Sequence, residues 1–68
     1  MFQAFVYSLK SGKATSRDFP DAESAARSLA ALVRTSGHTA ERDALAAELA
    51  IGRTITFGRF MYWVKEAP

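Results

Sequence analysis

Arg53-Thr54-Ile55-Thr56-Phe57-Gly58-Arg59-Phe60-Met61-Tyr62-Trp63-Val64 reads as two strands closed by the two-residue loop Gly58-Arg59. A glycine at the first loop position suits a type II′ turn, whose twist matches that of the strands it joins. The loop length sets the register. With Phe57 opposite Phe60, the side chains of Ile55, Phe57, Phe60, Tyr62 and Val64 share one face, and those of Thr54, Thr56, Met61 and Trp63 share the other. The first set is a core face. The second is amphipathic and holds the only tryptophan of the chain.

Working back from this hairpin, residues 2–10 (FQAFVYSLK) are aromatic and β-branched, and Ser11-Gly12 turns them into a more polar extended run from Lys13 to Phe19. The first strand is apolar on both sides, which suits a central position. Phe5, Tyr7 and Leu9 lie on one face and Phe2, Ala4 and Val6 on the other; Phe5 and Tyr7 are expected to face inward, with Trp63 and Phe2 left free to stack. Pro20 ends the run and Asp21 is placed to cap a helix with Glu23 in its first turn. Ala22, Ala25, Ala26, Leu29, Leu32 and Val33 fall on one side of that helix, within about 120° of arc. Gly37 is placed to end it and Thr39 to open a second helix running to about Ala50, where Gly52 stops it. The second helix shows two stripes: Leu45 with Leu49, and Ala40, Ala44, Ala47 with Ile51. The expected architecture is a two-layer α+β domain spanning residues 1–68, of order ββααββ, with a four-stranded antiparallel sheet and both helices on one face.

At 68 residues a chain buries only about 60% of the surface its unfolded form exposes, so tight packing or self-association is needed to stabilise it. There is no cysteine, hence no disulfide and no thiolate metal site, and His38 is the only imidazole. A nucleophilic triad needs a base held by a third group, and no such motif surrounds His38, which reads as an exposed turn residue. Asp18, Asp21 and Glu23 match no calcium-loop spacing and read as capping and solvating acids. The glycines are too scattered for a phosphate loop. The chain is therefore expected to be non-catalytic, with no metal and no cofactor. No signal peptide or membrane-length apolar run is visible, so it reads as a complete, small cytoplasmic gene product without membrane contact.

Charge is divided along the chain. Residues 1–17 and 53–68 carry six basic groups and one acid, a balance of +5, whereas residues 18–52 carry three basic groups and six acids, a balance of −3. Seven of the eight aromatic residues lie in the basic part, which raises single-stranded nucleic acid as an alternative partner. Against it, the net charge is only +2 and most of the rings are needed for a core. A protein partner suits the amphipathic face better: Trp63, Met61, Thr54 and Thr56, flanked by Arg17 and Arg59, give an aromatic and methionine centre with an arginine rim. The partner can equally be a second copy, making a small structural homodimer.

Across residues 12–29 (GKATSRDFPDAESAARSL), the strand, the Arg17-Asp18-Phe19 step, the short capped gap and the amphipathic helix resemble the corresponding part of small phage-encoded anti-CRISPR proteins that inhibit the type I-F surveillance complex. The resemblance implies inhibition by occupying a surface of a nucleoprotein complex, with no chemistry of its own. It carries over no functional residue.

Overall fold

The structure, a computed structural model, describes residues 1–67. Six elements follow in the order ββααββ: β1 (Phe2–Ser8), β2 (Ala14–Phe19), α1 (Ala22–Thr35), α2 (Arg42–Ala50), β3 (Ile55–Phe57) and β4 (Phe60–Glu66). The strands form one antiparallel sheet of order β2-β1-β4-β3, and the two helices cover one of its faces. The fold expected from sequence, an α+β sheet-and-helix layer pair, is thus the one observed.

The closing hairpin follows its loop. Gly58 has φ +62° and, among the described residues, only glycines take a positive φ, so Arg59 keeps a negative φ, as a type II′ turn requires. Phe57 pairs with Phe60, Thr56 with Met61 and Ile55 with Tyr62. Thr54 lies just before β3 and belongs to no strand. β1 is central, paired with β2 on one side and β4 on the other.

α1 begins where the cap requires. Asp21 is extended (φ −144°, ψ 164°) and its Oδ1 accepts a hydrogen bond from the Ser24 backbone N–H at 2.7 Å. That bond, seconded by the Ser24 hydroxyl, lowers the Asp21 pKa below the ordinary carboxylate value. The helix ends in a Schellman motif: Gly37, at φ +105°, donates to the Arg34 carbonyl at 3.0 Å, and His38 N–H reaches the Val33 carbonyl at 3.4 Å. α2 starts at Arg42 with Glu41 as its cap residue, not at Thr39, and Glu41 makes no side-chain capping bond. The Ala40 N–H is taken instead by His38 Nδ1 at 3.0 Å.

The core joins one alanine of β1 to both helices and β4. Ala4, Ala25, Ala26, Leu29, Ala30, Val33, Leu45, Ala46, Leu49, Tyr62 and Val64 are buried. Five of these eleven are alanine, so the layers approach closely, and Leu29, Leu49 and Val33 are the largest side chains fully enclosed. Two helical expectations are corrected. Leu32 is 48% exposed, because it sits on the flank of α1 that overhangs β2, and Ala30 takes its place in the core. On α2 only the Leu45 and Leu49 side, joined by Ala46, is buried. Ala44 and Ala47 are exposed and Ile51 is 70% exposed, so of that stripe only Ala40 packs against the core.

Between α1 and the strands β1 and β2 runs an open groove of about 290 Å³. Its floor is Ala4, Val6 and Leu29, and its walls are Thr15 and Arg17 on one side and Ser28, Ala31 and Leu32 on the other. A smaller hollow continues past Leu32 to Phe60 and Tyr62.

Truncating the enclosed Leu29 to alanine should cost about 2 to 5 kcal/mol in a urea melt, whereas Leu32→Ala should cost under about 1 kcal/mol. Asp21 yields a pH-dependent expectation. Because its pKa is lower folded than unfolded, its cap stabilises fully above the unfolded value, about 4, and that contribution is lost as pH falls through the folded value. The stability gap between the parent chain and Asp21→Ala, measured by urea melts, should therefore be widest near neutrality and close on acidification.

Candidate functional site

Which side chains face away from the helices is decided by the alternation along β1 and β4. Ala4 pairs with Val64 and Val6 with Tyr62, and these four turn toward the helices. The next rungs, Phe5 with Trp63 and Tyr7 with Met61, turn to the uncovered face. Thr56 joins them from β3, opposite Met61, and Ala14, Ser16 and Asp18 from β2, opposite Tyr7, Phe5 and Gln3. Lys65, opposite Gln3, completes the β4 side.

The centre of this face is a band of four large apolar side chains, Phe5, Tyr7, Met61 and Trp63, each only half-buried. Phe5 and Trp63 stack with ring centroids 5.1 Å apart and planes 1° from parallel. At that separation parallel rings are offset, the arrangement their quadrupoles favour. The Tyr7 hydroxyl extends over the β1–β2 connection, so that a Cβ on Gly12 would lie 3.8 Å from it. That loop is tied to the closing hairpin: the Leu9 N–H donates to the Arg59 carbonyl at 2.8 Å. Leu9 is 50% exposed there, and Lys10, Lys13 and Arg59 are exposed around it.

Of the residues expected to form a partner surface, Trp63, Met61 and Thr56 lie together on the uncovered face. Arg59 stands at its end, in the hairpin loop, and Thr54 is exposed just before β3. Arg17 must be moved. It pairs with Ala4, so it lies on the helix side of β2 and walls the groove under α1. The expectation for β1 is reversed as well. Phe5 and Tyr7 face outward, while Phe2 packs against the core. A strand that is apolar on both sides carries no local signal for which face the helices will cover.

His38 is half-buried, not exposed. Its ring meets Phe57 edge-on at a centroid distance of 4.9 Å while its Nδ1 accepts the Ala40 N–H, so it docks the interhelical turn onto β3. The acids near α1 are likewise engaged: Asp21 caps the helix, and Glu23 meets Arg27 at 2.7 Å. Among the described residues no helix is long and apolar enough to cross a membrane. Comparison with protein-family models, curated proteins and solved structures finds no match.

The Phe5–Trp63 stack should be measurable as a coupling. In a double-mutant cycle of Phe5→Leu and Trp63→Leu, the interaction energy should be about 0.5 to 1.5 kcal/mol, read from urea melts.

Proposed function

We propose that the chain is a cytoplasmic, non-catalytic binding module whose uncovered sheet face engages another protein. The observation that carries this reading is the contiguous band of Phe5, Tyr7, Met61 and Trp63 across the two central strands. Aromatic and methionine side chains at the centre of a weakly charged surface have the composition of an interface core, where a few anchors supply most of the binding energy. Charge separates this reading from nucleic-acid binding. The strand positions on the face carry one lysine, Lys65, and one acid, Asp18, which leaves it without net charge. Phosphate contacts need clustered cations along the track of the strand.

A nucleic-acid reading nevertheless has one observation in its favour: three rings, Phe5, Tyr7 and Trp63, are presented, with Lys10, Lys13 and Arg59 at one end. Trp63 is the only tryptophan, so its fluorescence reports on the face directly. Single-stranded DNA or RNA oligonucleotides at about 150 mM salt should leave it unquenched; strong quenching that fades with added salt would replace the protein reading by the nucleic-acid one.

The likeness of residues 12–29 to anti-CRISPR proteins names the first partner to try, a type I-F surveillance complex, with loss of target-DNA binding as the readout of inhibition. For the face itself, immobilised chain should retain a host protein that Tyr7→Lys and Met61→Lys variants release by tenfold or more, with their urea midpoints close to the parent. Retention unchanged by both variants would place the contact elsewhere.

A further inference from the structure

We propose that the groove between α1 and the β1–β2 margin is a binding site for a small amphipathic carboxylate, a free medium-chain fatty acid, with Arg17 holding its head and Val6, Leu29 and Leu32 lining its tail.

The groove exists because α1 lies over β1 and β4 and leaves β2 as a margin, every residue from Ala14 to Asp18 being exposed. Its lining changes character from one end to the other. Arg17 is the one charged residue in it, and among the described residues it has no ion-pair partner, the two salt bridges joining Glu23 to Arg27 and Glu48 to Arg53. Arg17 stands on the rung of Ala4. α1 ends near Tyr62, on the rung of Val6, where the Ser36 and Tyr62 hydroxyls lie 3.5 Å apart. Ser28, about two turns earlier on α1, therefore lies toward Arg17. At the far end the hydroxyls of Thr35 and Ser36 are already donated to the Ala31 and Leu32 carbonyls, and the groove runs on into the hollow of Val6, Leu32, Phe60 and Tyr62. One end is thus cationic and the other apolar.

Charge and width select the occupant. An unpaired guanidinium at one end of an apolar trough complements an anionic head on an apolar tail, and its planar fork matches a carboxylate in two parallel hydrogen bonds. The trough follows α1 from Ser28 to Thr35, and its 290 Å³ spread over about 10 Å gives a cross-section of about 30 Å². A helix with its side chains is about 10 to 12 Å across, roughly 80 Å² or more. A partner helix is too wide for this trough, whereas a single alkyl chain fits.

The uncovered sheet face takes no part in this site, so the test is independent of the partner proposed for that face. Octanoate is the probe, with octanol as the tail without the charge and acetate as the charge without the tail. In an NMR titration, octanoate at about 1 mM should shift the amide signals of residues 4–6, 15–17 and 28–35 and leave the Trp63 indole signal in place. Octanol should bind more weakly and acetate should shift none of these segments. Arg17→Gln, an exposed position on an edge strand, should weaken octanoate tenfold or more and leave octanol unchanged, while Lys65→Gln, on the other face, should alter neither. No shift with octanoate up to about 10 mM, equal affinity of octanoate for the parent and Arg17→Gln, acetate as effective as octanoate, or shifts centred on Trp63 would overturn the proposal.

Discussion

Seven residues of β1 lie against seven of β4, and this one pairing sorts the side chains of the whole molecule into covered and uncovered. Both strands are apolar on both faces, so the sheet has more apolar surface than two short helices can roof. The pairing divides the surplus by alternation, even-numbered positions of both strands facing the helices and odd-numbered ones facing away. Ala4, Val6, Tyr62 and Val64 go beneath the helices, where α1 contributes Ala25, Ala26 and Ala30 and the layers come close. Phe5, Tyr7, Met61 and Trp63 are left outside and partly shelter one another through the stacked pair. Core and candidate interface are two outcomes of the same register.

The parts of this arrangement legible in the sequence are those governed by short-range rules. A glycine-led two-residue loop sets the parity of β3 and β4, and Asp21 and Gly37 mark the ends of α1 by local hydrogen bonding. What was not legible depends on which elements become neighbours. Nothing local says that β1 lies beside β4, and a strand apolar on both faces gives no alternation from which to choose a side, so Phe5 and Tyr7 were assigned inward and Arg17 to the wrong side of β2. Leu32 shares the apolar arc of α1, yet the arc is wider than the strip the sheet covers. Of the α2 stripe only Ala40, ahead of the helix, packs against the core, while Ala44, Ala47 and Ile51 turn to solvent. His38 was missed for a different reason. Its role comes from an edge-on contact with Phe57, 19 residues further along the chain.

Charge and apolar surface are separated in space as well as in sequence. The acids of residues 18–52 sit mostly on and around the helices, several already committed to a cap or to exposed ion pairs that contribute little stability. The cations of residues 1–17 and 53–68 lie in loops, near a strand end or, for Arg17, on the helix side of β2, leaving the strand centres on the uncovered face nearly neutral. A partner meeting that face would find a hydrophobic centre first and positive charge only at its margin.

Because β1 and β4 are the earliest and latest elements yet lie side by side in the middle of the sheet, the protein cannot assemble gradually as it is made. Until residues 60–66 have left the ribosome, β1 can hold only its polar partner β2, and the helices have half a floor to rest on. The β1–β4 pairing joins residues more than 50 apart in sequence, and such non-local contacts lag the local hairpins. The nascent chain therefore carries its aromatic strand unpaired along one edge until β4 arrives, a stretch in which that edge is open to pairing with other chains.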